Sequence, residues 1–197
     1  HNRAHFDNHK VLGINLMSSP GSGKTTLLEN IVDMVDFKFA VVEGDLETSR
    51  DADRLKAKGI NAVQIQTGSA CHLDAFMVHK GLHDIRLADI DVCFIENVGN
   101  LVCPAEFDTG AGINITILSV PEGDDKPAKY PLVYTVSDVV LINKVDALAV
   151  FDFDKELVEK RIHTLNPKAQ IFYISAKKDE GFESWINYLK EKMKEWE

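Results

Sequence analysis

An apolar run, Val11 to Met17, leads directly into Ser18-Ser19-Pro20-Gly21-Ser22-Gly23-Lys24-Thr25. Few local patterns restrict a fold so tightly. A buried strand that ends in a Gly-x-Gly-Lys-Thr turn and continues as a helix is the phosphate-binding arrangement of P-loop proteins. Gly21 and Gly23 let backbone N–H groups converge on phosphate oxygens. The N-terminus of the following helix adds partial positive charge. In this setting Lys24 reaches the β- and γ-phosphates, Thr25 ligates Mg²⁺, and Ser22 and Thr26 belong to the nucleotide-binding set. Ser18 stands where the commonest form of the loop has its first glycine. If φ is positive there, serine fits poorly.

The rest of the chain agrees with that start. Strand-like runs recur at Phe39 to Glu43, Ala62 to Ile65, Val92 to Glu96, Ile115 to Val120, Val139 to Ile142 and Ile171 to Ile174. Several are continuously apolar, as strands covered on both faces are. Helical patterns separate them at Lys24 to Val35, Ser49 to Lys58, Leu73 to Ile85, Asp154 to Leu165 and Phe182 to Trp196. In the last, Phe182, Trp185, Ile186, Leu189 and Met193 form a core-facing stripe. Alternation of this kind predicts an α/β chain, a three-layer P-loop NTPase fold with a mostly parallel central sheet. Residues 1–197 read as a single G domain, with 1–9 as an N-terminal extension. The chain opens on His1-Asn2-Arg3 without Met, which reads as a truncated start. Two segments, Gly99 to Gly112 and Pro121 to Pro131, read as long functional loops.

A second motif chooses the base. Asn143-Lys144-Val145-Asp146 follows the strand Val139 to Ile142, at the carboxyl end where α/β sheets bind ligands. Guanine presents a ring N–H and an exocyclic amine, and one carboxylate can accept from both. Asp146 suits that task. Asn143 can bond the base's other edge and brace the loop, and Lys144 can cover the base with its aliphatic stem. Ser175-Ala176-Lys177, after another strand, fits the backbone loop that meets guanine O6. Together the two motifs favour GTP/GDP over adenine nucleotides.

A GTPase needs an element that senses the γ-phosphate. The strand Val92 to Glu96 ends in Glu96-Asn97-Val98-Gly99, where Glu96 replaces the commoner aspartate. Glu96 can hold Mg²⁺, and Gly99 can offer its N–H to the γ-phosphate. Asp45, in Glu43-Gly44-Asp45, is placed for Mg²⁺ or the attacking water, and Asp51 can complete the metal shell. Solvated acidic turns remain the alternative for both aspartates. Lys24, Asp45, Glu96 and Gly99 form the expected catalytic set. Neither a water-positioning Gln nor an arginine finger in cis is identifiable, so slow intrinsic hydrolysis is expected.

Composition excludes some partners. The net charge is -9, from 22 basic and 31 acidic residues, which argues against nucleic acid and anionic membrane. No signal peptide is visible, and no apolar run reaches the roughly 18 residues of a membrane span. Three cysteines make no disulfide framework. A cytoplasmic, reducing setting is expected. Cys93 lies within an apolar strand and reads as core. Cys71-His72 precedes a helix expected to start near Leu73, and Cys103 follows the second switch. Two thiolates and an imidazole suit Ni²⁺ or Zn²⁺. Buried structural thiols are the alternative. As a ligand set the three are incomplete, and a two-fold homodimer would double them.

These residues resemble the HypB family, the GTPases that help insert nickel into [NiFe]-hydrogenase. The resemblance covers nearly the whole chain. It rests on the phosphate loop, Glu43-Gly44-Asp45, Cys71-His72-Leu73-Asp74-Ala75, Glu96-Asn97-Val98-Gly99-Asn100-Leu101-Val102-Cys103-Pro104, Glu122-Gly123-Asp124-Asp125-Lys126-Pro127 and Asn143 to Asp146. Ser18 and Glu96 are ordinary in that family. The resemblance implies a SIMIBI-class GTPase that dimerises with GTP and carries an interface metal site on Cys71, His72 and Cys103. It implies that Lys129 reaches the partner subunit's nucleotide, although a surface ion pair with the nearby aspartates would explain the same lysine. It also implies the nickel chaperone HypA and the hydrogenase large subunit as partners. The N-terminal cysteine motif and histidine-rich stretch of some members are not in this sequence, where His1, His5 and His9 are sparse.

Other readings remain at this point. A urease-maturation GTPase carries Cys-Pro-His near its switch, where this chain has Cys71-His72-Leu73. A P-loop kinase has no use for Asn143 to Asp146. A GTP-regulated interaction module would keep its thiols structural.

Overall fold

The computed structural model describes residues 1–45 and 49–195. Seven strands form one sheet: β1 (Leu12–Ser18), β2 (Phe39–Asp45), β3 (Asn61–Gln66), β4 (Val92–Glu96), β5 (Ile113–Ser119), β6 (Val139–Asn143) and β7 (Gln170–Tyr173). Their order is β3-β2-β4-β1-β5-β6-β7, and every pairing is parallel. The helices are α1 (Asn2–His9), α2 (Lys24–Ile31), α3 (Arg50–Ala57), α4 (Ala75–Leu82), α5 (Cys103–Glu106), α6 (Lys126–Lys129), α7 (Pro131–Thr135), α8 (Lys155–Leu165) and α9 (Phe182–Lys194). Trp196, the end of the last expected helix, lies outside the described residues.

Alternation along the strands builds the layers, because successive side chains of a strand point to opposite faces. In β4, Val92 and Phe94 join one core with Leu27 and Leu28 of α2 and Trp185 and Leu189 of α9. Cys93 and Ile95 face the other way, against Phe6 of α1 and Val78 and Leu82 of α4. In β6 the residues between, Val140 and Ile142, pack with Val133 of α7 and Ile162 of α8. The stripe on α9 is therefore core, and a Trp185→Ala change would cost about 3–5 kcal/mol. Residues 2–9, read from the sequence as an extension, form a helix laid on the sheet with Phe6 2% exposed. Both long loops contain short helices, α5 in one and α6 in the other.

β1 is central, with β4 on one side and β5 on the other. Chain order reverses there, and the loops after β1, β4 and β6 emerge at one sheet edge. Such a reversal is where open parallel sheets bind ligands.

Candidate functional site

The phosphate loop is shaped by two glycines with positive φ, 75° at Gly21 and 103° at Gly23. Gly23 is doubly constrained, since an added Cβ would lie 2.5 Å from Asn143 Nδ2. Ser18 is not among the positive-φ residues, so serine is unstrained at the loop's entry. It is fully buried, and its Oγ accepts from Lys24 Nζ at 2.8 Å. Burial depresses the Lys24 ammonium, opposed by the charges of Glu96, Asp51, Glu43 and Glu122. Thr25 Oγ1 donates to Glu96 Oε1 at 2.7 Å. Gly99 lies against Pro20, so the second switch touches the phosphate loop.

Glu43, Asp51 and Glu96 each offer an oxygen, all within 4.8 Å of one another. Glu43 and Glu96 are level neighbours in the β2–β4 register and both end in the same place. Each keeps one buried oxygen with no hydrogen-bond partner among the described residues. Burial first, then the negative charges of Glu96, Asp45 and Asp51, push the Glu43 carboxyl up to about 8. Burial raises Glu96 as well, with Lys24 opposing. Crowded carboxylates with unused oxygens fit a hard divalent cation such as Mg²⁺. Glu43 was not singled out in the sequence. Its signal was available, because two strands end in glutamates at matching positions. Asp45 ends β2, with its carbonyl accepting from Thr67.

Arg54 also went unnoticed in the sequence. It lines a pocket of about 330 Å³ with Gly21, Lys24, Thr25, Asp51 and Lys144. It donates to Glu29 and to Thr26 Oγ1, and lies 3.6 Å from Asp51. A guanidinium in cis therefore stands beside the phosphate loop.

At the base end, Asn143 is 1% exposed and acts as a strut. Its Nδ2 donates to the Ser22 carbonyl at 2.9 Å, and its Oδ1 accepts from the Ala176 N–H at 3.1 Å. One side chain thus joins the phosphate loop to the Ser175-Ala176-Lys177 loop. Lys144 has φ 60° and donates to the Gly21 carbonyl at 2.8 Å. Asp146 accepts from Ser175 Oγ at 2.7 Å, which holds its carboxyl below the usual range. Lys177 is exposed. Ser22 Oγ donates to Glu122, whose carboxylate also accepts from the Ser119 N–H and hydroxyl.

The second cluster is Cys71, His72 and Cys103, with ligand atoms within 4.8 Å and all three half-buried. α4 starts at Ala75, capped by Asp74, so Cys71 precedes the helix by a short turn rather than sitting at its first residue. A hydrogen bond with Cys71 raises the Cys103 thiol. His72 stacks on Phe107 with centroids 3.7 Å apart, and its buried Nδ1 has no partner among the described residues. Soft sulfurs and an imidazole suit a borderline cation. Cys93 is fully buried in β4, its thiol pushed up to about 12.

Both thiol segments hang on the end of β4. Asn97 Oδ1 accepts from the Leu73 N–H at 2.9 Å and its Nδ2 donates to Asn15 at 3.0 Å. Asn100 Oδ1 accepts from Val102 and Cys103 N–H groups. Leu73 also fills the space above Gly44, where a Cβ would come within 2.6 Å. Lys129 is exposed and paired with Asp125 at 2.8 Å. No described helix is long and apolar enough to cross a membrane.

Comparison with known proteins agrees with this geometry. Residues 13–173 match the family described as CobW/HypB/UreG, nucleotide-binding domain. The hydrogenase/urease maturation factor HypB of Helicobacter pylori J99 is 52% identical over 187 residues, 92% of this chain and 77% of that protein. Hydrogenase maturation factor HypB of Escherichia coli K12 is 47% identical, covering 95% of this chain and 66% of that one. The crystal structure of HypB from Helicobacter pylori in complex with nickel superposes with a TM-score of 0.95 at 49% identity, covering 98% of this chain and 92% of that one.

Proposed function

The chain belongs to the CobW/HypB/UreG family, and within it to HypB; from that premise we propose that it is a GTP-hydrolysing nickel metallochaperone for [NiFe]-hydrogenase maturation. The observation that carries the reading is the bond from Leu73 N–H to Asn97, which ties the Cys71-His72 segment to the strand end beside the phosphate loop.

GTP would lie with its phosphates on residues 21–26 and its guanine against Asp146, Lys144 and the Ser175–Lys177 loop. Asp146, pre-oriented by Ser175, accepts from guanine's two donors. Lys24, poised near Ser18 and the carboxylates, swings to the β- and γ-phosphates. Thr25, Glu43, Asp51 and Glu96 would hold Mg²⁺, with Asp45 nearby; bound there, it would supply charge neutralisation for phosphoryl transfer. Arg54 can relinquish its surface partners to meet phosphate oxygens. Gly99 offers an N–H to the γ-phosphate. Loss of that phosphate then moves residues 96–100, and with them Leu73 and Cys103.

Nickel is the cargo. Two thiolates and one imidazole per chain leave the ligand set short, and a GTP-promoted homodimer supplies a second set. Lys129, paired with Asp125 in one chain, would reach the partner's nucleotide in that dimer. HypA and the hydrogenase large subunit are the partners in this reading, and hydrolysis is slow without them.

The test is a nickel titration of the protein loaded with GDP and with a non-hydrolysable GTP analogue, followed by mass in solution. Nickel affinity or dimer fraction that changes with nucleotide supports the reading. Weak nickel binding that ignores both nucleotide and loss of Cys71 and Cys103 overturns it.

A further inference from the structure

Glu122 opens the string Glu122-Gly123-Asp124-Asp125-Lys126-Pro127, and the steps of GTP binding and hydrolysis give it no part. It closes a 3₁₀ turn, Val120–Glu122, that leaves the end of β5. One of its oxygens, Oε2, takes three donors. They are the Ser119 N–H at 2.7 Å, the Ser119 hydroxyl at 2.7 Å and, from a hundred residues away, the Ser22 hydroxyl at 2.8 Å. The other oxygen, Oε1, is buried and has no partner among the described residues.

We propose that Glu122 is a positioning residue for the phosphate loop: through the Ser22 hydroxyl it holds residues 21–23 in the form that receives phosphate. The proposal rests on the nucleotide reading of that loop.

Capping of the turn explains two of the three bonds. A glutamate three residues past a serine reaches back to satisfy the start of a helical turn, and Ser119 with Glu122 does so here. Nothing in that motif calls for Ser22. Yet the carboxylate is turned so that a single oxygen serves both serines while its second oxygen stays buried and unused.

The loop needs holding at that residue. Ser22 lies between Gly21 and Gly23, both with positive φ, and glycine loses more conformational freedom on ordering than any other residue. A loop that sampled other shapes would have to be ordered by its ligand, which weakens binding. Three anchors order it beforehand. Lys144 holds the Gly21 carbonyl and Asn143 the Ser22 carbonyl. Glu122 holds the Ser22 side chain. The Ser22 hydroxyl also lies 2.9 Å from the Ser19 carbonyl, but an ionised carboxylate is the stronger acceptor. Ser119 and Asn143 are level neighbours in the β5–β6 register, so two of the anchors leave adjacent strand ends. The turn that carries Glu122 is itself fixed. Asp124 accepts from the Asp154 N–H at 2.8 Å, and its carbonyl accepts from Arg161 at 2.7 Å, which fastens this segment to α8.

The experiment measures the affinity of GDP and of a non-hydrolysable GTP analogue by calorimetric titration, with thermal unfolding of every variant. The full chain is compared with Glu122→Ala, Glu122→Gln, Ser22→Ala and the double variant Glu122→Ala/Ser22→Ala. Glu122→Ala should weaken both nucleotides by about tenfold or more, the scale of one lost charge-assisted bond. Ser22→Ala should do the same. The double variant should bind no more weakly than the weaker single one, because both changes remove one interaction. Glu122→Gln, whose amide oxygen still accepts from Ser22, should recover most of the loss. Unchanged nucleotide affinity with a lowered unfolding temperature would make Glu122 a cap alone and overturn the proposal. Losses that add in the double variant overturn it too, since the two residues would then act independently. So do equal losses in the glutamine and alanine variants, which would assign the effect to the charge that Glu122 places near Lys24. If the alanine variant does not fold, Glu122→Asp takes its place in the cycle, keeping the charge and shortening the reach to Ser22. A parent chain that binds neither nucleotide would overturn the reading of the loop itself, and this proposal with it.

Discussion

The nucleotide end and the thiol–imidazole cluster sit on the same sheet edge, yet they are built differently. The first is braced by buried side chains that bond more than one loop. Asn143 holds residues 22 and 176, and Ser18 receives Lys24 from beneath. The second is half-buried, gathered from two segments, and tied to the switch by Asn97 and Asn100. A rigid reader of the nucleotide is thus joined to a looser set of ligands through a few bonds. That asymmetry is what a device needs if nucleotide state is to alter metal binding while metal leaves nucleotide recognition intact.

The comparison can be broken first at its rigid side. Lys24→Ala should reduce single-turnover GTP hydrolysis by at least about 100- to 1,000-fold, the scale of losing one preorganised charge partner in phosphoryl transfer. The circular dichroism spectrum should not change, and near-normal hydrolysis would remove Lys24 from the catalytic set. Asp146→Ala should cut the preference for GTP over ATP by at least about 100-fold, because guanine's two donors lose their acceptor. Competition binding reads this directly, and unchanged selectivity would sink the base assignment. Arg54→Ala separates the surface ion pair from a phosphate role. We expect a fall of about tenfold or more in hydrolysis with a loss of under about 1 kcal/mol in stability, as befits an exposed pair.

The same contrast explains what could be read before the structure. The phosphate loop and the guanine loop are contiguous strings whose chemistry is local, so their residues were legible. The strand and helix order was legible too, since alternation and apolar runs depend on near neighbours. Glu43 and Arg54 were not, because their roles arise from register and packing. Glu43 gains meaning only when β2 pairs with β4 and sets it beside Glu96. Arg54 gains it only when α3 lies along α2. Cys71, His72 and Cys103 were legible as a ligand set, and the structure brings them together; that Asn97, read only as part of a motif string, ties the Cys71-His72 segment to the end of β4 emerges from packing alone.

The looser side offers a sharper test of the linkage. Asn97→Ala leaves the Leu73 N–H without its acceptor and should cost about 1–3 kcal/mol of stability. Its informative effect is elsewhere. Nickel affinity should persist, while the ratio between GTP-analogue and GDP states should fall towards one. A preserved ratio would move the coupling to Asn100 or to Leu73 packing over Gly44.

The smallest effect concerns the crowded carboxylates between the two regions. Glu43 is held protonated in the folded chain, its carboxyl raised from the ordinary 4.5 to about 8. An unfolded chain releases that proton near 4.5, so between roughly pH 4.5 and 8 unfolding sheds a proton and stability falls as pH rises. Below that window both states are protonated and the cost vanishes. Glu43→Gln removes the titrating group, so in EDTA its unfolding temperature should decline less steeply from pH 5 to 8 than that of the parent chain. Mg²⁺ reverses the ranking, since a cation favours the ionised pair and the amide offers it no charge. Parallel curves in EDTA, or equal stabilisation by Mg²⁺, would show that Glu43 is a spectator beside Glu96 and Asp51. The expected crossing would place the ion between the strand ends of β2 and β4, where the rigid reader begins to move the ligands it carries.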